Sequence, residues 1–290
     1  MTGASSPADG WIGPALVELE RYYWSPGGPA EKTKEEMVKL ARGNWKAALA
    51  IFYGHYAYER AGAPRSWGPL ARELLDGIGP DVRIKQVEKL VWQRFTAQVS
   101  KPNPTVNPLA TTQPKAPATR FIVDLVEDEN NIIRWAARRL TSGHAMDTSR
   151  TLQGLQGIGP KIAPFFLRDV VTSHDIKEGS LDDRRAILPI DVWVRRGVVV
   201  LAGLPPETVR TDKQIQDMAL AKADELGIRI ATLDAGLWVL GARFARSPAR
   251  LSEALASQAA FRKTVEGEVR RAEAAAKALR TVLAAATKDS

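Results

Sequence analysis

Residues 152–167 read Leu-Gln-Gly-Leu-Gln-Gly-Ile-Gly-Pro-Lys-Ile-Ala-Pro-Phe-Phe-Leu, and this stretch decides how the whole chain is interpreted. A glycine after a helix adopts the left-handed conformation without strain, so we expect the first helix to end at Gly157. Proline suits the first turn of a helix, so Pro160 predicts the start of a second helix. Ala163 is small and lets two helices pack closely. The pattern predicts a pair of helices joined by a tight turn.

The turn at Gly157, Ile158 and Gly159 has the chemistry of an anion site. Gly159 carries no side chain that would keep an anion away from the backbone. The free N–H groups and the positive dipole end of the second helix favour a phosphate group. A nucleotide-binding glycine loop is the competing interpretation. It fails because residue 162 is Ile rather than Gly, and because the segment before the turn is helical.

The same tetrapeptide, Gly-Ile-Gly-Pro, also stands at residues 77–80. This earlier copy has Arg83 where the later copy has Ala163, and a large charged side chain there argues against the same tight packing. We therefore expect the earlier copy to be a helix cap.

Composition narrows the function classes. Lys and Arg number 41 against 33 Asp and Glu, and the surplus of +8 favours an anionic partner, although a solvated basic surface would also explain it. The chain has no cysteine, which excludes disulfides, a cysteine nucleophile and cysteine-held iron–sulfur clusters. Its three histidines lack the spacing of a helical zinc site. With no long apolar run and no secretory signal, we expect a cytoplasmic protein without a membrane partner.

The apolar residues recur every three or four positions, which predicts an all-α protein. Trp45, Leu49, Phe52 and Tyr56 show this spacing. We divide the chain into an N-terminal helical part (1–100), a linker loop (101–118), a catalytic part (119–246) and Ala-rich C-terminal helices (247–290). Five prolines indicate the loop. Residues 175–186 are polar and are interpreted as an insertion.

A second motif follows the turn, and the two together carry a family resemblance. Residues 188–196 read Leu-Pro-Ile-Asp-Val-Trp-Val-Arg-Arg. Leu-x-Gly-Ile-Gly-x-Lys-x-Ala and Pro-x-Asp-x-x-Val-x-Arg resemble the helix-hairpin-helix (HhH-GPD) DNA glycosylase superfamily, which includes endonuclease III and the 8-oxoguanine glycosylases. The resemblance extends over residues 45–245 and is strongest at 150–202. It implies a two-lobed helical glycosylase fold without an iron–sulfur cluster, with DNA across the cleft.

The resemblance also assigns chemistry to individual residues. Lys161 falls at the family's catalytic lysine position and Asp191 at its catalytic aspartate position. A lysine amine can displace a base and form a Schiff base, and a carboxylate can stabilise the sugar's positive charge. The alternatives are a phosphate contact for Lys161 and a helix cap for Asp191, which could do both. DNA contacts are implied for Gly157, Ile158, Gly159, Arg195 and Arg196.

The segment between Lys161 and Asp191 is longer than in endonuclease III-like members and resembles the archaeal-type 8-oxoguanine glycosylases. That resemblance implies a base pocket. The alternative interpretation of its two aromatic residues, Phe165 and Trp238, is that they are core residues. The glutamine that reads the lesion base in those relatives has no equivalent, since Tyr53-Gly54-His55 stands there. The implied pocket residues are Phe165, Arg168, Asp234 and Trp238.

We therefore expect a bifunctional DNA glycosylase with AP (β-elimination) lyase activity, and 8-oxoguanine as its first substrate. The expected partner is double-stranded DNA carrying a modified base, and the expected state is a nucleoid-associated monomer. We expect no cofactor except a monovalent cation held by the carbonyls of the turn. The alternatives are a glycosylase for another modified purine or an oxidised pyrimidine, and a non-catalytic DNA-binding protein.

Overall fold

The computed structural model describes residues 10–58, 67–79, 82, 84–99, 130–155, 158–205, 208 and 210–286. Within these residues the chain is helical and contains no β-strand, which confirms the all-α prediction. The whole of the predicted linker (101–118) lies outside them. The elements are α1 (Ile12–Tyr23), α2 (Lys34–Arg42), α3 (Trp45–Phe52), the π-helical turn π1 (Tyr53–Ala57), α4 (Trp67–Asp76), α5 (Ile84–Val99), α6 (Ile132–Thr141), α7 (Ala145–Gln153), α8 (Ile162–Ser173), α9 (Leu181–Ala186), α10 (Val192–Leu201), α11 (Asp212–Leu226), α12 (Ile230–Val239), π2 (Leu240–Ala245), α13 (Pro248–Ala256) and α14 (Gln258–Ala286).

Contacts divide the chain into two compact units. Unit 1 comprises Met1–Tyr23 and Ile190–Ser290, and unit 2 comprises Trp24–Pro189. These divisions do not coincide with the segment boundaries predicted from the sequence, because α1 packs on α12 rather than on the helices that follow it. The segment prediction is otherwise untested.

Unit 1 depends on close helix approaches at glycine. A Cβ added at Gly236 of α12 would lie 2.9 Å from the carbonyl oxygen of Leu16 in α1, so glycine allows these two helices to pack at short distance. A Cβ at Gly241 would similarly meet the indole of Trp193. The helix α11 ends at Gly227, whose φ of 65° is left-handed and favours glycine.

Unit 2 is built around α8, which packs on α2, α6, α7 and π1. Nearly all of α8 from Ala163 onward is buried. A second glycine contact joins π1 to α4, where a Cβ at Gly68 would lie 2.1 Å from the carbonyl oxygen of Gly54. The polar stretch that we interpreted as an insertion contains a helix, α9, because Ser180 and Asp183 form a capping box at its start.

Candidate functional site

The turn before α8 departs from the predicted boundaries by a few residues. Helix α7 ends at Gln153 with Gly154 as its cap, so the helix stops before the predicted Gly157. Gly157 itself lies outside the described residues. Helix α8 begins at Ile162, with Lys161 at the N-cap position rather than inside the helix. The Gly159 carbonyl accepts from the N–H groups of Ile162 and Ala163 and so starts the helix.

Gly159 has open space around it. A Cβ added there would meet no atom within 4 Å, so packing does not require glycine at this position. Ile158, by contrast, is buried and anchors the turn. Packing within the described part of the chain therefore does not explain why residue 159 is glycine. An anion that approaches the backbone at this position would explain it.

Lys161, Phe165 and Arg168 lie along one face of α8, at intervals of four and three residues. Lys161 is exposed, and none of the described residues bonds its ammonium group. Phe165 is half-buried. The Arg168 guanidinium is 2% exposed and lies over the Phe165 ring, with Cζ 4.6 Å from the ring centroid. The structure thus brings Phe165 and Arg168 into contact and places Lys161 one helical turn before Phe165.

Asp191 caps α10 in unit 1. Its Oδ1 accepts from the backbone N–H groups of Trp193 and Val194, both at 2.9 Å. The capping alternative is therefore confirmed. Both bonds use Oδ1, and Oδ2 has no partner among the described residues. The second oxygen is available for chemistry, so a cap and a catalytic group are compatible in one side chain.

Arg195 and Arg196 both have protein partners. The Arg195 guanidinium pairs with Asp212 and donates to the Arg210 carbonyl. The Arg196 side chain donates to Ser252 Oγ at 3.2 Å. Their role as phosphate ligands stays a prediction.

Asp234 and Trp238 lie four residues apart on α12. Asp234 is fully buried, whereas Trp238 is half-buried between the edge of Tyr23 and the guanidinium of Arg243. These residues and Asp191 belong to unit 1, while Lys161, Phe165 and Arg168 belong to unit 2. Their pairing in one site stays a prediction.

Sequence reasoning missed a buried polar cluster beneath Phe165. Asp169 accepts from Arg168 and from the hydroxyl of Tyr56, and Lys32 lies over the Tyr56 ring. The available sequence signal was a pair of adjacent charged residues, Arg168 and Asp169, within the otherwise apolar sequence of α8. Burial, together with the Lys32 and Arg72 cations, lowers the pKa of nearby His55 to about 3, so its imidazole is neutral.

The described residues contain no cluster of three or more His, Asp or Glu side chains that could bind a metal ion. Within the same residues, no helix is both long and apolar enough to cross a bilayer. The absence of cysteine from the chain leaves no ligand for a cysteine-held iron–sulfur cluster.

Comparisons with protein-family models, with curated proteins and with solved structures matched this chain to nothing.

Proposed function

We propose that the chain is a helix-hairpin-helix DNA glycosylase with AP lyase activity. The observation that carries the proposal is the arrangement at the start of α8. An exposed amine at Lys161 follows an open glycine turn and precedes the stacked pair Phe165 and Arg168. A candidate anion site, a candidate nucleophile and an aromatic side chain thus lie within three helical turns, and this arrangement supports the proposal.

In the proposed reaction the backbone N–H of Gly159 binds a DNA phosphate, because the N–H of Ile158 already donates to the Leu155 carbonyl, and the modified nucleotide leaves the base stack. The uncharged Lys161 amine attacks C1′, and the bond from C1′ to the base breaks. The base leaves with the bonding electron pair and takes a proton from water. Asp191 Oδ2 accepts the proton that the amine loses and returns it to O4′ as the sugar ring opens to a Schiff base. The hydroxide formed from that water accepts a C2′ proton as the 3′ phosphate leaves with the electrons of its bond to C3′.

Guanine-derived lesions are the proposed substrates, with 8-oxoguanine first. An ionised carboxylate is an acceptor only, and a guanine edge offers N1–H and an exocyclic amine, to which 8-oxoguanine adds N7–H. Asp234 would be the acceptor. The missing glutamine keeps other modified purines and oxidised pyrimidines as alternatives. A monovalent cation at the turn carbonyls, nucleoid association and a monomeric state are parts of the same proposal.

The deciding experiment is a panel of duplexes, each with one modified base, scored separately for base release and strand cleavage. The proposal expects both products from at least one purine lesion, because attack by an amine couples the two steps. Release without cleavage would remove the lyase activity. Binding to duplexes with neither product would favour the non-catalytic DNA-binding alternative.

A further inference from the structure

The buried cluster beneath Phe165 has no task in the reaction described above. It consists of Lys32, Tyr56, Arg168 and Asp169, which we call the Asp169 cluster. All four residues are almost completely buried, with exposures between 0% and 6%. Charged side chains are rarely buried, since removing them from water is costly. Apolar residues of similar size would stabilise this core at least as well. Fold stability therefore does not explain why these buried residues are charged.

Asp169 uses both carboxylate oxygens. Oδ1 accepts from Nε and Nη2 of Arg168, at 3.1 and 2.8 Å. Oδ2 accepts from the Tyr56 hydroxyl at 2.7 Å. A planar guanidinium bonded through two of its nitrogens has little freedom to rotate. Asp169 and Tyr56 therefore fix the orientation of Arg168.

The fixed guanidinium lies against the aromatic residue that we propose for base stacking. Its Cζ is 4.6 Å from the centroid of Phe165, within the range of a cation–π contact. The Tyr56 ring meets the same phenyl group at 5.3 Å and an interplanar angle of 73°. Phe165 is thus held by Arg168 and by Tyr56, and its remaining surface is accessible one helical turn after Lys161.

The Phe165 ring has the Arg168 guanidinium against it, and a second basic side chain, that of Lys32, lies on the neighbouring Tyr56 ring. The Lys32 ammonium lies 5.2 Å from the Tyr56 centroid and donates to the Ala30 carbonyl. Burial lowers the pKa of Lys32, the charge of Asp169 opposes that shift, and Arg168 adds to it. A cation against an aromatic ring attracts its π electrons, so the ring becomes a better stacking partner for an electron-rich ring system.

We propose that Asp169 and Tyr56 are positioning residues. They hold Arg168 against Phe165, and the pair presents a fixed, electron-depleted ring to an electron-rich purine base. This inference rests on the proposed glycosylase function and adds a physical reason for its preference for purine over pyrimidine lesions. Purine lesions that keep an aromatic ring are favoured over pyrimidine lesions with a saturated ring, which stack poorly.

The test compares three probes: duplexes with one 8-oxoguanine, one thymine glycol or one preformed abasic site. Tyr56→Phe removes a single hydroxyl from the cluster. We expect excision of 8-oxoguanine to fall roughly tenfold in kcat/KM, the usual scale for one lost hydrogen bond to a charged group. Cleavage of the abasic duplex should stay within about twofold of wild type, because it has no base to stack.

Tyr58→Phe is the matched control, since Tyr58 is a buried tyrosine of the same unit that packs against Phe95 outside the cluster. It should change neither reaction. Asp169→Asn should give a larger loss with the same selectivity for the base-bearing duplex. If that variant does not fold, as judged by its melting transition, Tyr56→Phe decides alone.

Equal losses on the 8-oxoguanine and abasic duplexes, or no loss on either, would overturn the positioning role. Faster release of thymine glycol than of 8-oxoguanine by wild type would overturn the substrate class and leave the glycosylase function standing. Cleavage of the abasic duplex without release of either base would also overturn the inference and leave a lyase. Inactivity on all three probes would overturn the proposed function and the inference with it.

Discussion

The two Gly-Ile-Gly turns have the same sequence and different surroundings. At the first turn, the Lys46 ammonium donates to the carbonyls of Asp76 and Ile78, at 3.1 and 2.8 Å, and Arg94 donates to the Gly77 carbonyl at 3.2 Å. At the second turn, no described side chain donates to the carbonyls of Ile158 or Gly159.

The difference shows that the tetrapeptide sequence alone does not determine which groups bond to its carbonyls. In the first turn, the backbone of Gly77 caps α4 by donating to the Glu73 carbonyl, as the sequence predicted, and cations of the same unit occupy the carbonyls. Both turns leave open space at their second glycine, Gly79 and Gly159, and the second turn adds an exposed amine at Lys161. We infer that the first turn stabilises the fold, whereas the second is built for a ligand.

The largest expected effect separates the proposed chemistry from DNA binding. Asp191→Asn should keep the α10 cap, because asparagine also accepts from backbone N–H groups. Base release should nevertheless fall roughly 10²–10⁴-fold, the usual loss for an acid–base group. Single-turnover kinetics and duplex affinity should be measured together, with Glu253→Gln as the control for loss of an exposed acid in the same unit. Unchanged turnover would reduce Asp191 to a cap.

The next effect concerns the first turn. Lys46→Met removes the ammonium group from two carbonyls and should lower the free energy of unfolding by about 1–2 kcal/mol, since hydrogen bonds from charged donors are of this size. Abasic-site cleavage should be unchanged in the folded protein. Lys161→Met should give the opposite result, with normal stability and no cleavage. Denaturant unfolding and cleavage assays on the two variants test this contrast, which fails if both lose the same property.

A smaller effect should distinguish the glycines of the two turns. Gly159→Ala and Gly79→Ala each add a Cβ with no atom within 4 Å, so neither should change the melting temperature. Duplex affinity should fall roughly tenfold for Gly159→Ala, because the methyl group obstructs hydrogen bonds from the backbone to a phosphate. Affinity should be unchanged for Gly79→Ala. Equal affinities for the two variants would mean that the turns are equivalent.

The smallest effect tests whether the interior around His55 excludes water. Arg72 of α4 and Lys32 add to the burial that lowers the pKa of His55 to about 3, while Asp169 opposes it. As the pH falls through 6.5, the unfolded chain gains a proton that the folded chain does not, so stability falls. Between pH 7 and pH 6 this loss should be below about 1 kcal/mol. Unfolding of His55→Gln at both values should lack it, and an identical pH response would place His55 in solvent.

Much of the fold was predictable because it follows from local patterns. The apolar spacing of Leu49, Phe52 and Tyr56 predicts a buried helical face, and all three are buried. The run at 198–201 resembles a strand in composition but continues the periodicity from Trp193, and it lies in α10. The N-cap alternative for Asp191 was readable from its place before that helix.

Other features depend on contacts between distant residues and left no local pattern. The bond between Tyr56 and Asp169 spans 113 residues. Lys46 reaches the first turn from 30 residues away. The Asp212 and Ser252 side chains that bond Arg195 and Arg196 also lie on other helices. The local sequence gives no sign of these bonds, so both arginines were predicted to be phosphate ligands. Such contacts decide whether the carbonyl groups of identical tetrapeptides are bonded by side chains of their own unit.

Borohydride trapping tests most directly whether the second turn carries a nucleophilic amine. Reduction of a Schiff base during the reaction links protein and DNA covalently, so wild type on an abasic duplex should give a stable adduct. Lys161→Ala should give none, while Lys177→Ala, which removes an exposed lysine elsewhere in unit 2, should trap as wild type does. An adduct formed by Lys161→Ala at the wild-type yield would contradict the assignment of Lys161 as the nucleophile.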